Sequence, residues 1–406
     1  MGILTSMFTA VSGLNAYGNA LGVIGNNVAN IGTVGFKSSR TAFAELVSAS
    51  LASGSQQVGL GVHLNAIQGN FQQGSLNTTG NTLDLAIDGD GFFQLANSSG
   101  TTLYSRAGQF KVNNLGEVVD PNGELLQGYQ ATAGGLVTGT IGNITLTSTN
   151  SAPQATAVSM IKANLDATAT APTPAFSIAD PTSYNFSTGQ TIYDSLGSPH
   201  DVSFYFVKTA TANTWNLYRQ IDGGAATAAT NLVFTTAGAL STGGSQALSL
   251  AIAGGAATPQ TVTVDFTKMT QYGAKSAVLD QTQDGYASGS LQRVNVDSQG
   301  QVVAQFTNGQ TRILAQVVLS RFVNPQGLLR NGDNLFLKSN DSGSPVVGAP
   351  DSNGLGRVVA GALEQSNVDL GKEFVDMIVT QRAFQANSKA ITTSDEMLQE
   401  LVNLKR

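Results

Sequence analysis

Apolar residues recur every seven positions at both ends of this 406-residue chain, and that periodicity constrains its fold more than any other feature. Near the start, Met7, Leu14, Leu21 and Val28 hold one heptad position, and Leu4 and Val11 hold the other. Alternating steps of three and four are the spacing of a coiled-coil seam. The second position lapses at Gly18 and Gly25, and Gly13 and Gly22 also lie within the stripe. Each glycine costs a helix about 1 kcal/mol relative to alanine, roughly 4 kcal/mol together, so this segment alone in water stays largely unformed. It needs a partner.

The far end supplies one. Leu370, Met377, Phe384, Ile391 and Leu398 repeat every seven residues without a gap. The companion position reads Phe374, Gln381, Ser388, Asp395 and Val402, apolar at its ends and polar in the middle. A helix is predicted over about 369–404, with Gln381, Ser388 and Asp395 as candidates to set its register. Two stripes of matched length at opposite termini predict a helix pair.

Between them the chain reads as short strands and turns. Leu83–Ile87 alternates, Asp88-Gly89-Asp90-Gly91 turns, and Phe92–Leu95 starts another strand. Asp120-Pro121-Asn122-Gly123 is a turn sequence, and Asn308-Gly309 between two apolar runs marks a hairpin. From about 146 the composition shifts to Ala, Thr, Ser and Gly, with strands expected at 200–207, 215–221, 248–252 and 260–266. The resulting expectation is a mainly β, multidomain chain. Residues 1–30 and 365–406 form the helical coiled coil, and 31–70 with 361–364 the linker region. Residues 71–145 with 276–360 form a discontinuous β-domain, and 146–275 an inserted all-β outer domain.

Composition removes most chemistries. There is no Cys, which excludes disulfides, thiolate nucleophiles and Cys-held metals. Two histidines, His63 and His200, cannot build a His-rich metal site, and both read as strand residues. With 26 acidic and 20 basic residues, there is no field to hold a polyanion, so nucleic-acid binding is excluded as the main role. The Asp88-Gly89-Asp90-Gly91 run resembles the start of a calcium loop, but Ser99 stands where such a loop needs an acid. No G-x-S-x-G, P-loop or G-x-G-x-x-G occurs. No catalytic residue, cofactor or metal is expected. A secreted β-rich polysaccharide-active enzyme is the competing reading from another class, because two carboxylates can meet in space from anywhere in a chain. It leaves the terminal heptads unexplained.

The start is not a secretory signal or a membrane span. Its first charge is Lys37, and Asn15, Asn19, Asn26, Asn27 and Asn30 interrupt it. Met1–Ser6 fits a myristoylation pattern only weakly.

Residues Asn26, Asn27, Ala29 and Asn30, then Thr33, then Gly35, Phe36 and Lys37 closely resemble the N-terminal signature of bacterial flagellar axial proteins, the rod and hook family. Leu363–Leu370 is similar to that family's entry into its last helix, and Gln381, Arg382 and Asn387 to its signature within the helix. Leu85–Phe93 and Tyr104–Phe110 look like its first β-domain. Rod members are shorter and lack a sizeable insert, so this length resembles the hook branch, with a distal-rod or hook-like paralogue as the alternative. The resemblance implies a flexible helical homopolymer, a universal joint between rod and filament on the outside of the cell. It implies export through the flagellar type III apparatus without a cleaved signal. The partners implied are the distal rod, a hook cap, hook–filament junction proteins and a length-control ruler. Some branches crosslink neighbouring subunits through a Cys-derived bond to Lys; a chain without Cys is expected to assemble non-covalently.

Overall fold

The computed structural model describes residues 2–47, 59–132, 135–146, 150–250 and 256–403. It is mainly β, with one long helix at each end: α1 (Gly2–Ala29) and α2 (Leu370–Asn403). Two compact units divide the chain. The first takes residues 1–147, 293–304 and 312–406, and the second 148–292 and 305–311.

In the first unit the two helices pair antiparallel, with Gly13 against Asn387 and Asn27 against Glu373. The most buried positions of α1 are not those of the heptad stripe. On α1 the buried positions are Ala10, Gly13, Ala16, Ala20 and Asn27. Met7, Leu14, Leu21 and Val28 are only half-buried beside them, while Leu4 and Val11 are exposed. Small residues take these enclosed positions because they let neighbouring segments approach the α1 backbone closely. A Cβ on Gly13 would lie 2.7 Å from Asn387 Oδ1, so this glycine marks a contact as well as a propensity cost.

On α2 one row is where the spacing puts it: Met377, Phe384, Ile391 and Leu398 are half-buried. Its companion is one residue earlier than expected. Thr380 and Ser394 are buried and Asn387 half-buried, whereas Gln381 and Asp395 are exposed and, of the three expected polar residues, Ser388 alone is half-buried. A repeat of seven leaves open whether the second row follows after three residues or four. Phe374 and Val402 fall on the exposed side, as does Leu370.

The segment expected as a linker holds a hairpin, β1 (Ser39–Val47) and β2 (Gly59–Gly69), which packs on α1. Ser12 Oγ accepts a hydrogen bond from Val62 N at 3.1 Å, and Tyr17 meets Phe43 edge-on at 5.7 Å. The β-domain proper is built on Phe92–Ala96, paired antiparallel with Thr102–Ser105 and Leu125–Thr132. Leu85, Ile87, Phe93, Leu95, Leu126 and Val317 form its core.

The second unit is two sheets sharing one core. Val158–Asp166 is central to a five-stranded sheet, and Pro199–Lys208 and Thr214–Ile221 to a six-stranded one. Trp215, Phe204, Phe206, Phe266 and Ile161 fill the space between them. The unit runs past the expected boundary at 275, because Ala277–Gln283 pairs antiparallel with Val158–Asp166. The strand expected at 248–252 runs from Ser245 to Leu250, and positions 251 and 252 lie outside the described residues.

Candidate functional site: the joint between the helix pair and the β-domain

The residues that end α1 and those that begin α2 meet at one place on the β-domain. Helix α1 stops at Ala29, and Asn30 Oδ1 accepts from the Thr33 hydroxyl in the turn beyond it. The chain then reaches Gly35, whose φ of +69° suits glycine. Gly35 N donates to Glu364 O at 2.8 Å, and a Cβ there would lie 2.5 Å from Ala107 N. No side chain fits between these backbones.

Phe36 is buried beneath the Arg330 guanidinium, 5.8 Å from its ring. Arg330 Nη2 also donates to Lys37 O (2.9 Å) and Ser39 Oγ (2.8 Å). Asn334 Nδ2 donates to Val34 O at 3.0 Å. The strand of the β-domain that carries Arg330 thereby grips the segment leaving α1.

Lys37 turns inward. Its Nζ donates to Glu364 Oε1 at 2.6 Å and to Gln72 O at 2.7 Å. The same oxygen accepts from Gly74 N at 2.8 Å, and Arg106 Nη1 is 3.3 Å from Glu364 Oε2. Arg106 lies 5.4 Å from the Phe92 ring. One carboxylate thus serves two cations in a site closed to solvent. Burial holds the Lys37 ammonium below its usual pKa; Glu364 opposes that shift and Arg106 reinforces it.

Two asparagines finish the joint. Asn367 Oδ1 accepts from Ser38 N (2.8 Å), and its Nδ2 donates to Asn70 O (2.8 Å) and Gln72 O (3.0 Å). Asn27, on the last turns of α1, accepts from Ser39 N (2.9 Å) and donates to Ser39 O (2.8 Å). Its Nδ2 also reaches Glu373 Oε1 in the first turn of α2, at 3.1 Å. A side-chain amide supplies both a donor and an acceptor, here to the N–H and C=O of one residue. A groove of about 650 Å³ opens beside the joint, lined in part by Val23, Ile24, Arg40, Phe43, Glu373 and Val379.

Of the residues singled out in the sequence, Asn27, Gly35, Phe36 and Lys37 converge here. Asn26 and Ala29 are exposed, Asn30 and Thr33 half-buried. Gln381 and Arg382 face solvent, and Asn387 sits in the helix seam. Arg106, Arg330, Glu364 and Asn367 carry as much of the joint but have no periodicity to mark them. Nothing in this arrangement performs a reaction; it fastens a helix pair to a sheet.

Four family models cover most of the chain. Residues 7–37 match the flagella basal body rod protein and 86–163 the flagellar hook protein FlgE/F/G D1 domain. Residues 164–286 match the flagellar basal body protein FlaE D2 domain, and 359–404 the flagellar basal body rod FlgEFG protein C-terminal model. The chain is 40% identical to the flagellar hook protein FlgE of Escherichia coli (strain K12), over 98% of this chain and 99% of that protein. It is 39% identical to that of Salmonella typhimurium, over 98% and 100%. For Treponema pallidum the identity is 32%, with both chains fully covered. A crystal structure of Helicobacter pylori flagellar hook protein FlgE2 shares the fold with a TM-score of 0.53 at 14% identity, over 71% of this chain and all of that one. End-to-end identity at this level, on a chain whose two terminal helices enter one joint, places it in the flagellar hook protein FlgE family.

Proposed function

We propose that this structural subunit of the flagellar hook, which is no enzyme, assembles through its helix pair and transmits torque through the joint described above. The carrying observation is that α1 and α2 are tied to the β-domain by Asn27, Lys37, Glu364 and Asn367. A rotation applied to the helices is passed to the sheet through buried hydrogen bonds rather than through a slack linker. The hook residues Leu4, Val11, Leu370 and Phe374, exposed in the single chain, are contact residues between copies.

The polymer joins rod to filament as a flexible universal joint. Its partners are the distal rod, the hook cap, the hook–filament junction proteins and the length-control ruler. The subunit travels through the flagellar type III export apparatus with no cleaved signal and works outside the cell. No described helix is long and apolar enough to cross a membrane. With no Cys in the chain, copies hold together non-covalently.

The test is polymerisation. Purified chain concentrated under salting-out conditions is expected to form curved tubes in negative-stain electron microscopy. A chain lacking residues 2–29 and 370–403 is expected to stay dispersed with its sheets intact. Tubes from the truncated chain would sink the reading.

A further inference from the structure

We infer that His200 works as a proton-operated clasp on the second unit. The charged ring pins the turn Asp194–Ser198 against the neck where that unit begins and ends, and loss of the proton lets turn and neck open. The clasp lies within one unit, so it operates in a single chain as in a polymer.

The neck is short. Asn150 and Ser151 pair antiparallel with Ser290 and Gly289, and Gln154 and Tyr286 exchange two backbone hydrogen bonds of 3.0 Å. The turn Asp194–Ser198 is wedged against both sides of it. Gly197, at φ +85°, has no room for a side chain: a Cβ there would lie 2.7 Å from Pro153 Cβ and 3.3 Å from Ala287 Cα. Just before the turn, Tyr193 N donates to Thr156 Oγ1 and Tyr193 O accepts from Thr156 N, both at 2.9 Å. A displaced turn therefore releases the packing on both segments of the neck.

Asp194 holds the turn together. Its Oδ1 accepts from Leu196 N (2.9 Å) and Ser198 N (2.7 Å), and its Oδ2 lies 3.4 Å from His200 Nε2. On the other side of the ring, Nδ1 is 2.6 Å from Oδ2 of Asp222, which follows the strand Thr214–Ile221. Both ring nitrogens face carboxylates, and only the imidazolium has two N–H groups to give them. A neutral ring keeps its one proton for the closer acceptor, Asp222, and turns a lone pair on Asp194. Asp222 is 49% exposed, so water can serve it, whereas Asp194 is 3% exposed. A buried carboxylate stripped of its partner drives the turn toward solvent.

No other charge replaces the ring. Asp201, the next residue, is turned to Thr191, and Arg219 to Thr227. The strand Phe186–Tyr193 and the neck segments 150–156 and 285–290 offer only Tyr193 and Tyr286 as ionisable groups, and 256–260 offers none. Burial pulls the imidazole's pKa down, but hydrogen bonds to the two carboxylates outweigh it and raise the value. The clasp is thus closed in acid and opens as pH rises through the ring's folded pKa.

The experiment is amide hydrogen exchange read by NMR on the full-length chain, with intrinsic rates corrected for pH, while the His200 ring signals report its protonation. Protection at Leu196 and Ser198 in the turn, and at Gln154 and Tyr286 in the neck, should fall severalfold together as the ring loses its proton. The fall should be unchanged in low denaturant, as befits a local opening. His200→Gln should hold all four amides at the lower protection throughout. Asp222→Asn leaves Asp194 and its turn untouched, and should move the ring's titration and the opening of the neck to lower pH in step.

Neck protection that stays constant while the ring titrates, loss confined to the turn, or exchange that climbs with denaturant like global unfolding would each overturn the clasp. So would a neck transition in Asp222→Asn that no longer follows the ring.

Discussion

Lys37 Nζ lies 2.6 Å from Glu364 Oε1 with both side chains fully buried, 327 residues apart in sequence. That ion pair closes the chain on itself: the first charged residue after α1 meets the last acid of the strand that leads to α2. Arg106 approaches the other oxygen, so Glu364 is the one anion between two buried cations.

Removing that anion should be far worse than removing a cation. Glu364→Gln leaves Lys37 and Arg106 facing each other in a closed site, and an uncompensated buried charge costs about 3–5 kcal/mol. Lys37→Met leaves Arg106 and Glu364 as a balanced pair and is expected to cost clearly less. Denaturant unfolding followed by far-UV circular dichroism ranks the two, and the reverse order would refute the account. The lone tryptophan, Trp215, belongs to the second unit, so its fluorescence transition should be unmoved by either change.

Gly35→Ala tests the backbone contact. The residue sits at φ +69°, which costs an L-residue roughly 1–2 kcal/mol, and its Cβ would meet Ala107 N at 2.5 Å. Backbone on both sides cannot step aside. Hydrogen exchange at the Ser38 and Ser39 amides should accelerate, since these donate to Asn367 and Asn27 across the same joint. Unchanged protection would show that the segment adjusts elsewhere.

Two glycines of α1 should respond to alanine with opposite signs. Gly22 has nothing within 4 Å, so Gly22→Ala should add up to about 1 kcal/mol to the helix. At Gly13 the new methyl would press on Asn387, whose Nδ2 is engaged with Ala383 O. Gly13→Ala should therefore lower helix content and weaken assembly. Circular dichroism at 222 nm and tube yield give the comparison; a gain at both positions would count against the seam.

The second unit should have its own pH dependence. His200 Nδ1 is 2.6 Å from Asp222 Oδ2 and its Nε2 is 3.4 Å from Asp194 Oδ2. Burial alone would lower this imidazole's pKa, but hydrogen bonds to the two carboxylates outweigh it and raise the value above 6.5. A raised folded pKa means the stabilisation is complete below pH 6.5 and is lost as pH rises through the folded value. Thermal unfolding read by Trp215 fluorescence should fall over that range in the parent and stay flatter in His200→Gln. Equal slopes would assign the effect to another group.

The helix pair, the β-rich middle and the signature before Lys37 were legible because heptads, turn residues and a dense local motif are written in consecutive positions. The seam was harder. Leucine and methionine announce a stripe, yet Ala10, Gly13, Ala16 and Ala20 are the positions most enclosed once α2 and the β1–β2 hairpin pack on α1. Large residues advertise burial, while close backbone approach needs the residues that advertise nothing. The β1–β2 hairpin was missed, apart from His63 reading as a strand residue, because neither strand has a fully buried position: β2 alternates only between exposed and half-buried. Arg330 was missed, and Arg106, Glu364 and Asn367 stood out only as members of the family-like stretches Tyr104–Phe110 and Leu363–Leu370, for a different reason. Their roles exist only once segments hundreds of residues apart are brought together, and no local pattern records that. His200 likewise read only as a strand-start residue, with no sign in the sequence that Asp194 and Asp222 close on it from a turn and a strand end.

The second unit begins and ends in a zipped neck, where Asn150 and Ser151 pair with Ser290 and Gly289 and Gln154 bridges to Tyr286. Its two ends are already held side by side by backbone hydrogen bonds, so a longer or shorter body between them adds almost nothing to closure entropy. The neck makes the body an exchangeable cassette. A lineage can remodel the surface that meets its surroundings, in size and in sequence, while the residues that set helix spacing and joint geometry stay under separate constraint.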